Sequence, residues 1–229
     1  MESHKAKYLW FSSYIRTYIE SDARELAHIR NLDKFIKMYR LCMIRSGNLF
    51  RKNELQKEAG LDNRTFDSYF AVLEHTYQIQ KLQPFFKNRL KRLIKSPKIY
   101  ATDTGILAHL LQIGSQGALE DSHYRGEVIE TFIYDELLKA NSSAAQKVGL
   151  YYYRTSDKKE IDFVLDYGNK IVAIEIKASK TVSKSDFKHI YHLKKEIPDL
   201  FGKGIVLYDG DTFLRLDEGM YAVPFGFLA

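Results

Sequence analysis

Residues 161–177 read IDFVLDYGNKIVAIEIK. Two apolar runs, Ile161 to Tyr167 and Lys170 to Lys177, flank Gly168-Asn169. Gly and Asn tolerate positive φ, so this pair is a strong signal for a two-residue hairpin loop. If Tyr167 pairs with Lys170, the numbers of opposed residues add to 337, and Asp162 falls opposite Glu175. Directly opposed Cβ atoms lie about 4.5–5.5 Å apart. Lys177, two residues beyond Glu175, shares its face, while Val172, Ile174 and Ile176 are expected to point the other way, into the core. Like charges placed directly opposite destabilise a sheet, so this pair needs a compensator. Lys177 can neutralise it, or a divalent cation can, and two carboxylates suit a hard, oxygen-seeking ion such as Mg²⁺ or Mn²⁺. The spacing alone leaves both readings open. Without a cation, at least one carboxyl is expected to hold its proton more tightly than usual.

The surroundings of the hairpin have α/β punctuation. Gly126 to Ala140 is expected as a helix with Val128, Ile129, Phe132, Ile133 and Leu137 on its apolar face. Leu150 to Arg154 reads as an aromatic strand, and Ser185 to Ile197 as a helix stopped by Pro198. Gly204 to Tyr208 reads as a buried strand, followed by a short strand-like tail. His189 and His192 have helical spacing but lie among Lys188, Lys194 and Lys195, which reads as a solvated helix face rather than a metal site.

The first part is helical. Tyr14 to Leu26 and Leu32 to Ile44 carry apolar residues at mixed three and four spacings without Gly or Pro, and Ser46-Gly47-Asn48 breaks the pattern. A short helix from Lys52 to Ala59 stops at Gly60, and Asp62 or Asn63 can cap the next, Arg64 to Thr76. Helix, tight Gly-containing turn and helix form a helix-turn-helix pattern. Gln78 to Phe86 and Ser96 to Thr102 are strand-like and flank the basic stretch Lys87 to Lys95, as the wing of a winged helix would. Arg64 then opens the recognition helix, where base edges are reached. Lys87, Arg89, Lys91 and Arg92 are the candidate phosphate contacts of the wing. Asp103 to Ile113 is another expected helix, and a polar linker from Gly114 to Arg125 places the domain boundary near residue 115.

Composition sets the remaining bounds. The chain has 229 residues, 45% hydrophobic and 28% charged, with 16 Tyr and 14 Phe, which argues against disorder. The single cysteine, Cys42, excludes an internal disulfide and a cysteine-based zinc site. No apolar run is long enough to span a membrane and the first residues lack a signal-peptide core, so a cytoplasmic setting without a membrane partner is the expectation. No G-x-x-x-x-G-K-[ST] or G-x-G-x-x-G loop occurs. The net charge is +6, but residues 1–100 hold 20 basic against 10 acidic residues, and residues 101–229 hold 15 against 19. A basic first module is a candidate polyanion binder.

Asp162 followed by Glu175-Ile176-Lys177 on a hairpin after a helix resembles the PD-(D/E)xK nuclease superfamily, although Ile161 stands where the superfamily has its proline. The resemblance implies that Asp162 and Glu175 hold one or two metal ions and that Lys177 positions or activates the attacking water. It also implies an acid on the preceding helix, a position matched by Glu130. The stretches YIRTYIESD (14–22), AGLDNRTFDSYFAVLE (59–74), KSPKIYATDTGILAHLL (95–111), YYYRTSDKKEIDFVL (151–165) and VAIEIKASKTV (172–182) are similar to the C-terminal region of prokaryotic AAA-type ATPases. That region carries a winged helix and a restriction-endonuclease-like domain of uncharacterised function. The implied fold is an α+β, helical winged-helix module over 1–115 and an α/β nuclease-like domain with a central mixed sheet over 116–229. Glu130, Asp162, Glu175 and Lys177 become the site positions, with Arg154 and Glu160 as neighbours. DNA is the implied partner, with an ATPase or other protein as another. The ATPase core is absent from these residues, so ATP hydrolysis is not expected of them. A DNA- or protein-binding module without cleavage is the competing expectation.

Overall fold

The computed structural model describes residues 4–19, 29, 31–86 and 96–228. Lys87, Arg89, Lys91 and Arg92, and the later part of the helix expected over Tyr14 to Leu26, lie outside the described residues. The chain divides into two compact units, Met1–Lys81 with Lys98–Asp135, and Leu82–Pro97 with Glu136–Ala229. Compactness therefore divides the chain after Asp135, where the sequence pattern puts the boundary near residue 115.

The first unit is helical. Helix α1 spans His4–Thr17 and α2 spans Leu32–Ile44. The Asn31 side chain caps α2 by accepting from the Lys34 N–H at 3.0 Å, and the helix buries Phe35, Met38, Tyr39, Cys42 and Met43. Helix α3, Lys52–Ala59, ends at Gly60, whose φ of 67° is a left-handed conformation that only glycine adopts without steric cost. Asp62 then caps α4, Asn63–His75, accepting from the Thr65 N–H at 2.9 Å. The apolar stripe of α4 buries Phe66, Tyr69, Phe70 and Leu73, as its spacing predicts. Strands β1, Ile79–Leu82, and β2, Lys98–Ala101, pair in a two-stranded sheet. Asp103 caps α5, Thr104–Leu110. The stretch read as a linker contains a short helix, α6, Gln116–Glu120, capped by Ser115.

Helix α7, Arg125–Ser143, runs longer than its sequence pattern and buries a different face. Val128 and Ile133 are buried as expected, but so are Thr131, Tyr134 and Asp135, whereas Phe132 is 39% exposed. Two of these are matched by distant residues: Thr131 and Ser46 hydroxyls share a buried hydrogen bond of 2.7 Å, and the Tyr134 hydroxyl donates to Gln80 Oε1 at 3.2 Å while its ring stacks on Tyr100 with centroids 4.1 Å apart.

The second unit is built on a mixed six-stranded sheet, order β3-β4-β5-β6-β8-β7. Its strands are β3 Gly149–Arg154, β4 Glu160–Asp166, β5 Ile171–Lys177, β6 Phe201–Tyr208, β7 Leu214–Asp217 and β8 Met220–Pro224. β3, β4 and β5 are antiparallel, β5, β6 and β8 are parallel, and β7 returns antiparallel to β8. A 3₁₀ turn, Lys184–Phe187, and helix α8, Lys188–Glu196, lie between β5 and β6, as a parallel crossover requires. Phe187, Ile190 and Leu193 pack with Ile171, Ala173, Val206, Met220 and Ala222. The approach is close: a Cβ at Gly204 would stand 2.4 Å from Ile190 Cγ2.

The edge of β3 is covered by the segment Gln83 to Phe86. Tyr152 N–H donates to the Gln83 carbonyl at 3.1 Å and Phe85 N–H to the Tyr152 carbonyl at 2.5 Å. The Tyr152 hydroxyl also donates to the Ser96 carbonyl at 2.5 Å, so both described flanks of the basic stretch are tied to β3. No described helix is long and apolar enough to cross a membrane.

Candidate functional site

The hairpin forms with the register its turn dictates. Tyr167 N–H donates to the Lys170 carbonyl at 2.9 Å, and Gly168 takes a φ of 92°. Above the turn the ladder pairs Asp166 with Ile171, Leu165 with Val172, Val164 with Ala173 and Phe163 with Ile174. The next pair in that register is Asp162 with Glu175, the point at which the ladder ends. There the Asp162 Oδ2 accepts the Ile176 N–H at 2.8 Å, in place of the backbone carbonyl that a continued ladder would offer.

A bulge lies at the same point. On the other side of β4, Tyr151 pairs with Val164 and Tyr153 with Ile161, so β4 carries one more residue than β3 between those pairs. The extra residue falls at Asp162-Phe163, and it lets Ile161 and Val164 enter the same core cluster although they are three apart. Bulges beside sheet ends re-aim side chains in this way.

Lys177 Nζ lies 2.8 Å from Glu175 Oε1, with side chains 33% and 12% exposed. Burial works to lower the pKa of this ammonium, but the hydrogen bond and charge of Glu175, with the charges of Asp162 and Asp186, raise it above the ordinary lysine value. Asp186 is thus a third carboxylate acting on Lys177, and it had no motif to announce it. It is fixed by Ser183, whose N–H and hydroxyl donate to Asp186 Oδ2 at 2.8 and 2.9 Å. The Glu175 face is not an open charged surface: it continues Ile171 and Ala173, which the Phe187–Leu193 segment covers. Val172 and Ile176, expected in the core, are only partly buried, while Ile174 is buried. Glu175 and Lys177 stand at the C-terminal end of a parallel strand, where open α/β sheets present their binding groups.

The other expected residues have definite places. Arg154 and Glu160 pair in the ladder between β3 and β4 and form a salt bridge. His189 is partly buried, and its Nδ1–H donates to the Glu160 carbonyl at 2.8 Å, while His192 Nε2 meets Glu196 at 3.1 Å. Both are therefore structural contacts. Glu130 belongs to the first unit, where its Oε1 accepts from Lys98 Nζ at 2.9 Å and from the Tyr100 hydroxyl at 2.5 Å. Lys98 is 3% exposed there. Arg64 is exposed in the first turn of α4. Among the described residues no three acids, histidines or cysteines stand together as a metal-holding group.

Residues 1–117 match the family model of a domain of unknown function, DUF8612. The chain belongs to that family. Residues 125–228, which carry the hairpin, match a second domain of unknown function, DUF4143. An uncharacterised protein of Mycobacterium tuberculosis, Rv2008c, is 28% identical over 216 residues, 94% of this chain and 47% of that protein. Uncharacterised protein Mb2031c of Mycobacterium bovis is similar to the same extent. This DUF8612 chain spans about half the length of the curated relatives it matches.

Proposed function

We propose that the chain is a DNA-associated, metal-dependent nuclease-like protein. Its first unit is a winged-helix module and its second a PD-(D/E)xK-type domain, as in the C-terminal region of AAA-type ATPases. The observation that carries this reading is the arrangement at the end of β5: Lys177 bonded to Glu175 at 2.8 Å, with Asp162 anchored on the next backbone N–H. An apolar sheet end does not need that set for stability, and metal-assisted phosphodiester hydrolysis can use acids and an ammonium side by side.

The donor chemistry fits Mg²⁺ or Mn²⁺, which commonly bind through one or two carboxylates and keep several waters. When bound, such an ion lowers the pKa of water and offsets charge on phosphoryl oxygens. Asp162 and Glu175 would hold it, the Ile176 N–H fixing the orientation of Asp162. Lys177, kept protonated by its acidic neighbours, would orient the attacking water and face the developing negative charge. Glu130, already bound by Lys98 and Tyr100, is assigned a structural role in the first unit.

The test is a Mg²⁺ and Mn²⁺ titration with supercoiled, linear and branched DNA. Cleavage that requires the cation and disappears in Asp162→Asn, Glu175→Gln and Lys177→Ala supports the reading. Cleavage that survives all three variants, or its absence with every substrate, removes hydrolysis. The second reading, a DNA- or protein-binding module without cleavage, is favoured by the internal partner that each of Asp162, Glu175 and Glu130 already has.

A further inference from the structure

A cavity of about 340 Å³ in the second unit lies apart from the residues assigned to hydrolysis. Phe85, Phe86 and Tyr153 supply aromatic walls, and Leu193 and Ile197 at the end of α8 supply aliphatic surface. The polar members are Arg154, Thr155, Ser156 and Glu196. Such a pocket, apolar with a few polar groups, is the usual form of a site for a flat organic ligand.

The chemistry narrows the ligand. Aromatic rings stack on the π-face of any nucleobase, and single-stranded nucleic acids are held on platforms of this kind. Glu196 Oε2 accepts from the Tyr153 hydroxyl at 2.7 Å, which fixes the carboxylate beside the rings. That carboxylate is half exposed; His192 Nε2 stands 3.1 Å from its Oε1, and each oxygen still keeps a further lone pair. A carboxylate only accepts, so it suits a base edge with an amino group, as at cytosine N4, and gains less from thymine, whose single N3–H donor is flanked by two carbonyls that repel it. Exposed Ser156 stands where a sugar or phosphate would pass. The unit that holds the pocket carries 19 basic and 13 acidic residues, a balance that favours a polyanion.

We propose that this pocket receives one unstacked base of a single-stranded nucleic acid, with cytosine preferred to thymine. The proposal rests on the nucleic-acid reading of the second unit but uses none of the residues assigned to the cation. Tyr153 and Asp162 nevertheless share the same strand pair: Tyr153 faces Ile161, and Asp162 is next along β4.

The experiment is fluorescence anisotropy of labelled dC12 and dT12 with the full chain in EDTA. Wild type should bind dC12 more tightly than dT12. Phe86→Ala should weaken dC12 binding on the order of ten-fold through removal of the ring, and Phe86→Tyr should restore it. Glu196→Gln should erase the difference between dC12 and dT12 while both still bind. Equal affinities for wild type and Phe86→Ala, with both folded by thermal melt, overturn the proposal, as does a dC12 affinity no higher than that for duplex. Intact pocket binding in a protein that never cleaves DNA would sink the hydrolytic reading alone. Cleavage without any dependence on Phe86 or Glu196 would sink the pocket alone.

Discussion

The two units hold the same kind of ion pair in different settings. In the first, Lys98 meets Glu130 at 2.9 Å; in the second, Lys177 meets Glu175 at 2.8 Å. Lys98 is 3% exposed and Glu130 receives a Tyr100 hydroxyl as well, so the pair is closed. Lys177 is 33% exposed and faces Asp162 and Asp186 besides its partner, so acid exceeds base around it. The charge totals repeat the contrast. Counted by compact unit, the first holds 16 basic and 16 acidic residues, and the whole net charge of +6 falls in the second. The residues counted with the sheet include Leu82–Pro97, so the surplus of positive charge falls in the unit that carries the hairpin acids. Equal distances thus say little about what a pair does; its surplus charge and its access to water say more.

The sharpest way to break the contrast is to reverse the charge at Lys87, Arg89, Lys91 and Arg92. Duplex affinity at low salt should fall, and the slope of log affinity against log salt should flatten by about 0.9 for each phosphate no longer neutralised. An unchanged slope in a salt titration would separate the charge surplus from DNA. Next, Glu130→Ala removes the carboxylate that pairs with buried Lys98 and should cost about 3–5 kcal/mol in urea denaturation. Lys177→Ala, at a more open site, should cost clearly less; equal losses would erase the distinction between a closed and an open pair. Third, Mn²⁺ at about 100 times its dissociation constant should stabilise the wild type by roughly 2.7 kcal/mol. The gain should vanish in Asp162→Asn and persist in Glu130→Gln, read by thermal melting.

The next expectation is of opposite pH limbs. Burial, aided by the Arg40 charge, lowers the pKa of His109 in the first unit. Its contribution is therefore complete above the ordinary histidine value and is lost as pH falls through the lowered one. Lys177 is raised, so its contribution holds through neutral pH and is lost as pH climbs past the lysine range. His109→Gln should flatten the acid limb of a stability profile and Lys177→Met the alkaline one. The smallest effect is Gly60→Ala, where a φ of 67° should cost an L-residue about 1 kcal/mol.

Much of this architecture is legible where local chemistry decides it. Gly60 and Asp62 punctuate α3 and α4, and Gly168-Asn169 fixes the hairpin register down to Phe163 and Ile174. The reading fails where tertiary context decides. β5 lies between β4 and β6 and is buried on both faces over much of its length, so alternation could not tell which face α8 covers. The bulge at Asp162-Phe163 involves neither Gly nor Pro and leaves no mark in the sequence. On α7, Thr131 and Tyr134 are drawn inward by Ser46 and Tyr100, partners far away in the chain. Asp186 acts on the site through the turn that follows β5, a proximity that no spacing rule expresses.

The strip from Gln83 to Phe86 has a consequence for inheritance. The two family matches cover residues 1–117 and 125–228, so a cut between them leaves this strip with the first. Yet its backbone bonds to β3 of the second. A recombination event that carried residues 125–228 alone to a new host would deliver a sheet with one edge stripped of its cover and prone to sticking to other strands. Successful transfers must take both segments together or find a replacement strip in the recipient. The junction that looks natural in the sequence is, for this fold, a poor place to exchange parts.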